Sequence, residues 1–283
     1  MSATDPPYRG SDLEPIKLNW RDLRRGVRRE LAVLQIRDAG FRTDPVILES
    51  LINVFYILRS FRMTTKESVR WARGVPSLPV RKWNDSRNKF WVSRHGFEHT
   101  EYMPLGDSPK KDGWSPDSNP HQLVWLTNLN YAVKQTRRFV GLEQFSFLDL
   151  GCGTGVPSIY AHMVLGFRTA GGFDIDERFV KWANENAERV GLRSKVSFQE
   201  ADASEFVLLD DKYFLFFFNS FGEATLTSFL SKNRDSLERH NSVLCLVNDL
   251  AAAAVFALPN VSLLFRNPKR NLSVFQFGGP VPE

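Results

Sequence analysis

From position 145 onward, short and almost wholly apolar runs alternate with longer stretches whose apolar residues recur every three or four positions. The runs 145–150, 168–173, 196–199, 212–218 and 242–247 have strand length and are bounded by turn-forming residues, so they read as buried strands. Between them, 158–165, 177–190, 223–239 and 251–258 read as helices, with Gly191 stopping the second. The runs 261–265 and 272–277 flank a polar turn at 266–271, the pattern of an antiparallel hairpin. Alternating strands and helices predict an α/β fold: a mostly parallel sheet covered by helices, closed by an antiparallel C-terminal hairpin strand.

Upstream of position 145 the pattern is different. Residues 1–15 hold Pro6, Pro7 and Pro15 with little apolar content and read as a flexible tail. Helical spacing follows over 20–39, over 44–62 with Asp44 as cap and Pro45 in the first turn, and from Thr64 or Thr65 to Gly74. Residues 75–118 show no period and are read as an irregular, aromatic-rich loop carrying Trp83, Phe90, Trp91, Phe97, Tyr102 and Trp114. A further helix is expected from Ser118 or Asn119, through Pro120, to about Val140. The resulting organisation is a tail at 1–15, a helical and loop extension or lid at 16–114, and a sheet domain at 115–283. The extension's apolar stripes and tryptophans need a surface to bury against. It is therefore expected to close over the strand ends and form part of a pocket there.

Charge sharpens this division. Residues 1–145 carry 24 lysines and arginines against 16 acids, whereas residues 146–283 carry 13 against 16. Arg21, Arg24, Arg25, Arg28 and Arg29 crowd the first helix, which reads either as a solvated face or as a surface for an anionic partner such as RNA. No apolar run reaches the roughly 20 residues of a membrane helix, and the start of the chain has no secretory pattern, so a cytoplasmic protein is expected. The two cysteines, Cys152 and Cys245, fall in core segments and are expected to be reduced; no cluster has metal-ligand spacing.

The candidate chemistry lies in Asp149-Leu150-Gly151-Cys152-Gly153-Thr154-Gly155, which joins the first strand to the first helix. A dinucleotide fingerprint would require glycine at 156, where Val156 stands, and Asp149 would repel a pyrophosphate. A carboxylate there suits a ligand with a positive end. This stretch resembles motif I of the class I S-adenosylmethionine-dependent methyltransferases, (D/E)-x-G-x-G-x-G, without departure. The resemblance covers about 115–283. It implies a Rossmann-like methyltransferase using S-adenosyl-L-methionine and yielding S-adenosyl-L-homocysteine. It places Asp149, Gly151, Cys152, Gly153 and Gly155 around the methionine moiety. Asp174 would stand at the ribose hydroxyls, Ile175 on the adenine face, and Asp202 with the backbone of Ala203 at the adenine edge. Asp176 is read instead as the cap of the following helix.

The methyl acceptor is less legible. The family's site after the fourth strand corresponds to Asn219-Ser220-Phe221-Gly222. It lacks both prolines of the amino-directed (D/N/S)-P-P-(Y/F) pattern, leaving Asn219 as the candidate catalytic residue and a further cofactor contact. His95, His99 and His121 are candidate general bases. A small-molecule acceptor is favoured on the aromatic content. RNA or protein is the alternative, on the basic N-terminal half, and a non-catalytic cofactor-binding module is a third reading.

Overall fold

The computed structural model describes residues 78–103, 118–248 and 251–279. The helices expected over 20–39, 44–62 and from Thr64, the arginine cluster and Trp114 lie outside them. Pro76–Glu283 form one compact unit and Met1–Val75 another, so the unit that holds the sheet begins well before position 115.

The elements of this unit, in chain order, are α1 (Leu78–Arg94), α2 (Leu126–Thr136), β1 (Ser146–Leu150), α3 (Val156–Met163), β2 (Thr169–Asp174), α4 (Glu177–Arg189), β3 (Val196–Glu200), β4 (Tyr213–Phe218), α5 (Glu223–Arg239), β5 (Val243–Val247), α6 (Ala252–Phe256), β6 (Val261–Asn267) and β7 (Leu272–Phe277). A single 3₁₀ turn, Pro268–Arg270, separates the last two strands. The sheet has seven strands in the order β3-β2-β1-β4-β5-β7-β6. The first five strands run parallel, and β7 and β6 pair antiparallel at the end. Strand order reverses at β1, which places a crevice outside the carboxyl ends of β1 and β4.

Both faces of the sheet are buried, which explains the near-continuous apolar strands. Along β4 the period of two sends Phe214 and Phe216 into one core with Phe147, Val243, Cys245 and Val274, while Leu215 and Phe217 enter the other with Leu150, Leu244, Leu246 and Phe275. Phe214 and Phe216 are fully buried, each contributing about 1.5–3 kcal/mol by leaving water. The helices that follow β1 and β2 start as the sequence implies. Gly155 is the N-cap of α3, with Pro157 in its first turn. Asp176 caps α4, accepting from Arg178 N at 2.9 Å, with Glu177 in the first turn and Arg189 in the last, each complementing the helix dipole.

Two expectations are corrected. Part of the aperiodic 75–118 stretch is helix α1. Its polar residues had hidden it, because several are spent on tertiary hydrogen bonds rather than on solvent. Asn88 Nδ2 donates to Val124 O at 2.7 Å, Asn88 Oδ1 accepts from Leu126 N at 3.0 Å, and Asp85 accepts from Trp125 Nε1 at 2.8 Å. Asn88 thereby serves the first N–H of α2, whose own N-cap, Trp125, makes no side-chain cap. The second correction concerns the helix expected from Asn119. It begins only at Leu126, because the chain before it is extended and tied to other segments. Asn119 N donates to Ser220 O at 3.1 Å, and Met103 and His121 exchange two backbone bonds of 3.0 Å. The stretch after α1 also packs on the sheet's helices. His99 stacks on Trp182 with ring centres 4.1 Å apart, and Asn186 clasps the backbone of Glu98 from both sides.

Candidate functional site

A cavity opens at the carboxyl ends of β1, β2 and β4, where the topology places a ligand. Its lining brings together Asp149, Gly151, Cys152, Gly153, Asp174, Ile175, Asp202 and Ala203 from the expected set. Met103 and residues 118–124 also line it.

The turn after β1 holds the cavity's shape. Gly151 and Gly153 have φ of 76° and 49°, a left-handed backbone that glycine adopts without strain. The expected close approach of a ligand to these glycines is only part of their purpose. A Cβ at Gly151 would collide with the side chain of Ser220, and one at Gly153 with the ring of His121. At Gly155 a Cβ would meet Phe198 and Ala183, so that glycine lets α3 pack on β3 and α4, and it does not line the cavity. Ser220 Oγ donates to Gly151 O at 3.1 Å, joining the end of β4 to the turn.

The acids differ in their surroundings. Asp149 is buried, and loss of water, with the Asp174 charge second, holds its carboxyl well above the usual range. Asp174 accepts from Gly153 N at 2.9 Å and from Asp176 N at 3.1 Å. Burial nevertheless raises its pKa to about 6, because these backbone donors only partly offset desolvation. The Cys152 thiol is pushed up as well, chiefly by burial and then by the two acids, so it is an inert wall group. Asp176 instead faces Arg178, at 2.8 Å, as expected of a helix cap. Asp202 accepts from the backbone and hydroxyl of Ser204, both at 2.8 Å, which orients one oxygen at the end of β3. The described lining contains four aspartates and no lysine or arginine. Its donor set therefore suits a cation-bearing ligand and opposes a pyrophosphate.

Residues 147–239 match the protein family described as Methyltransferase domain. That segment is thus similar to a methyltransferase domain, and it lies within the mostly parallel sheet described above. Among curated proteins the chain is similar to the ribosomal protein L11 methyltransferase of Erwinia tasmaniensis. The two are 35% identical over 75 residues, 26% of this chain and 22% of that protein. The enzyme of the same name from Ruminiclostridium cellulolyticum is 44% identical over 66 residues, 23% of this chain and 21% of that protein. The chain thus spans about a fifth of the length of these curated relatives. Among solved structures, the ribosomal protein L11 methylase of Lactobacillus delbrueckii subsp. bulgaricus aligns with a TM-score of 0.40 at 17% identity, covering 53% of this chain and 77% of that one.

Not every expected site residue reaches the cavity. Asn219 does not line it, and Ser220 does. Asn219 has φ 50°, and asparagine is among the residues that best tolerate this left-handed turn. That backbone requirement accounts for its identity, and it was available in the sequence as an asparagine closing a strand. Of the three candidate histidines, only His121 lines the cavity. His95 is held by Trp91 O at 2.7 Å, and His99 stacks on Trp182. Sequence reasoning missed Met103 and the extended 118–124 segment, which carries no periodic signal. It also missed Phe179 on the first turn of α4, whose ring lies 4.7 Å from that of His121. Among the described residues no group of side chains is arranged for a metal ion, and no helix is long and apolar enough to cross a membrane.

Proposed function

We propose that this protein transfers a methyl group from S-adenosylmethionine to a macromolecular acceptor, RNA or protein. The observation that carries the donor half of this reading is the pair Asp149 and Asp174. Two desolvated carboxylates stand beside the glycine turn, and the described lining residues include no lysine or arginine. A cationic nucleoside satisfies them, since each positive or hydroxyl group it brings lowers the cost of keeping a carboxylate ionised out of water.

In this reading Asp149 faces the ammonium of the amino-acid tail and Asp174 accepts from the ribose hydroxyls. Ile175 packs on the adenine, and Asp202 with the backbone of Ala203 meets its polar edge. Gly151, Cys152 and Gly153 supply the cradle. When bound, S-adenosylmethionine contributes an electrophilic methyl on a sulfonium. The chain contributes alignment and a water-poor cleft: Phe173, Phe179, Phe216, Phe218 and Phe221 all line the cavity. With Ser220 in the lining and its neighbour Asn219 outside it, an acceptor contact at the end of β4 falls to Ser220, and Asn219 shapes the turn.

The acceptor reading rests on two observations. The curated relatives are named for methylating a ribosomal protein, and the part of this chain that precedes β1 is rich in basic residues. A small-molecule acceptor is the second reading, favoured by the phenylalanine lining.

Calorimetry tests the donor. S-adenosylhomocysteine is expected to bind and NAD not to; NAD binding without an S-adenosylhomocysteine signal would refute the proposal. Labelled methyl transfer then tests the acceptor, using separated RNA, protein and small-molecule fractions of a cell extract. Label in the RNA or protein fraction supports the first reading, and label confined to small molecules supports the second. Tight binding without transfer to any fraction marks a non-catalytic module, the outcome that removes the enzymatic reading.

A further inference from the structure

The acids account for the positive end of the proposed donor and leave its carboxylate without a partner. The donor's amino-acid tail carries both charges, and the described lining has no lysine or arginine to receive the negative one. Neutral hydrogen-bond donors must do so, and two are placed for it. His121 Nε2 and Thr154 Oγ1 both belong to residues lining the cavity, and both are buried side-chain atoms without a hydrogen-bond partner. Native proteins rarely leave such groups unpaired, and an exception calls for a ligand or an ordered water.

The two residues flank Gly153. The ring of His121 stands against the Cα of Gly153, and Thr154 follows Gly153 in the chain. Both are rigidly held. The backbone of His121 is fixed by its paired bonds to Met103, and its ring rests on Phe179. Thr154 is 1% exposed, and its carbonyl accepts from Asn186 Nδ2 at 3.1 Å, which occupies the carbonyl and leaves the hydroxyl. Burial lowers the His121 pKa to about 4, so near neutrality the imidazole offers a donor without adding charge beside the acids. Thr154 also lies two residues before Val156, the first residue of α3, where the partial positive charge of the helix start favours an anion.

We infer that His121 and Thr154 bind the carboxylate of the donor's amino-acid tail. This inference rests on the proposal that the cavity binds S-adenosylmethionine, and its test separates the two. Affinities for S-adenosylhomocysteine and for 5′-methylthioadenosine, which keeps the nucleoside and thioether but lacks the amino-acid tail, are measured by calorimetry. The wild type is compared with His121→Phe and Thr154→Val. Each substitution is expected to weaken S-adenosylhomocysteine binding about tenfold, the usual size of a hydrogen bond to a charged group. Binding of 5′-methylthioadenosine is expected to stay unchanged.

Equal losses for both ligands would place these residues at the nucleoside and overturn the carboxylate assignment; no loss for either would overturn it too. A wild type that binds neither ligand would refute the donor proposal itself. Thermal unfolding without ligand monitors folding. Should His121→Phe fail to fold, His121→Asn and Thr154→Val carry the same comparison. A further readout is the imidazole ¹⁵N signal of His121, which should shift with S-adenosylhomocysteine and stay in place with 5′-methylthioadenosine.

Discussion

The two ends of the sheet treat the same side chain in opposite ways. At the amino ends of the strands, Asp211 accepts from Arg168 at 2.8 Å and from Ser146 at 2.6 Å, and nearby Asp210 faces His240 at 2.7 Å and Arg239 at 3.0 Å. The hydrogen bond from His240 holds Asp210 below the usual carboxylate range. At the carboxyl ends, Asp149 and Asp174 are withdrawn from water with no cation beside them among the described lining residues, and their carboxyls are pushed up. Acids that serve the fold carry their counter-charges within the chain. Acids left uncompensated in a cavity destabilise the empty protein, and that cost is offset only when a ligand arrives.

The contrast breaks most completely if the turn that carries the second pair is destroyed. Gly153→Val forces a β-branched residue into a left-handed backbone and drives it into His121. Strain and overpacking together are expected to cost about 3 kcal/mol or more, with no detectable S-adenosylhomocysteine binding. Thermal unfolding and calorimetry read the two effects.

Next in size is Asp174→Ala. Affinity for S-adenosylhomocysteine should fall roughly tenfold to a hundredfold, as expected for a lost hydrogen bond to a charged group. Asp176→Ala should instead cost about 1 kcal/mol of stability through the lost cap of α4 and leave affinity near its starting value. The reverse pattern would transfer the ribose role to Asp176.

A pH titration sharpens the contrast without mutation. The folded pKa of Asp174, about 6, lies above that of an unfolded aspartate, near 3.9. The native state therefore binds more protons between these values. The contribution of Asp174 to the stability of the ligand-free protein should fall as pH rises from about 4 to about 6 and level off above. Affinity for the donor should move the other way, weakening below pH 6 as the carboxylate protonates. The difference between wild type and Asp174→Asn isolates this carboxylate in both measurements, with a stability difference that falls from about pH 4 to about pH 6. Burial lowers His121 from an unfolded value near 6.5 to about 4, so its contribution runs the other way, rising with pH over the same window.

The smallest effect belongs to the other end. The Asp211 side chain is one-third exposed, so the pair it forms with Arg168 is screened. Asp211→Asn should cost at most about 1 kcal/mol, less in high salt, with ligand affinity unchanged. A clear loss of affinity there would show that the two ends are coupled.

The sequence by itself determined the sheet's composition and the location of its ligand end. Apolar runs with breaks at glycine and asparagine required strands buried on both faces, and Asp149 through Gly155 required a turn with a carboxylate at its entry. These are local properties, set by the backbone freedom of glycine and the period of side chains along a strand, so they survive without knowledge of distant contacts. Tertiary structure alone decided the rest. Helix α1 was illegible because its asparagines and Asp85 look solvated until their partners at residues 124–127 are known. Asn219 stood out by position in the motif, yet a left-handed turn gives the lining to Ser220. Whether a histidine is structural or faces a ligand depends on which backbone pairs with it. Only the bridge between Met103 and His121, formed across residues far apart in the chain, carries that ring onto Gly153.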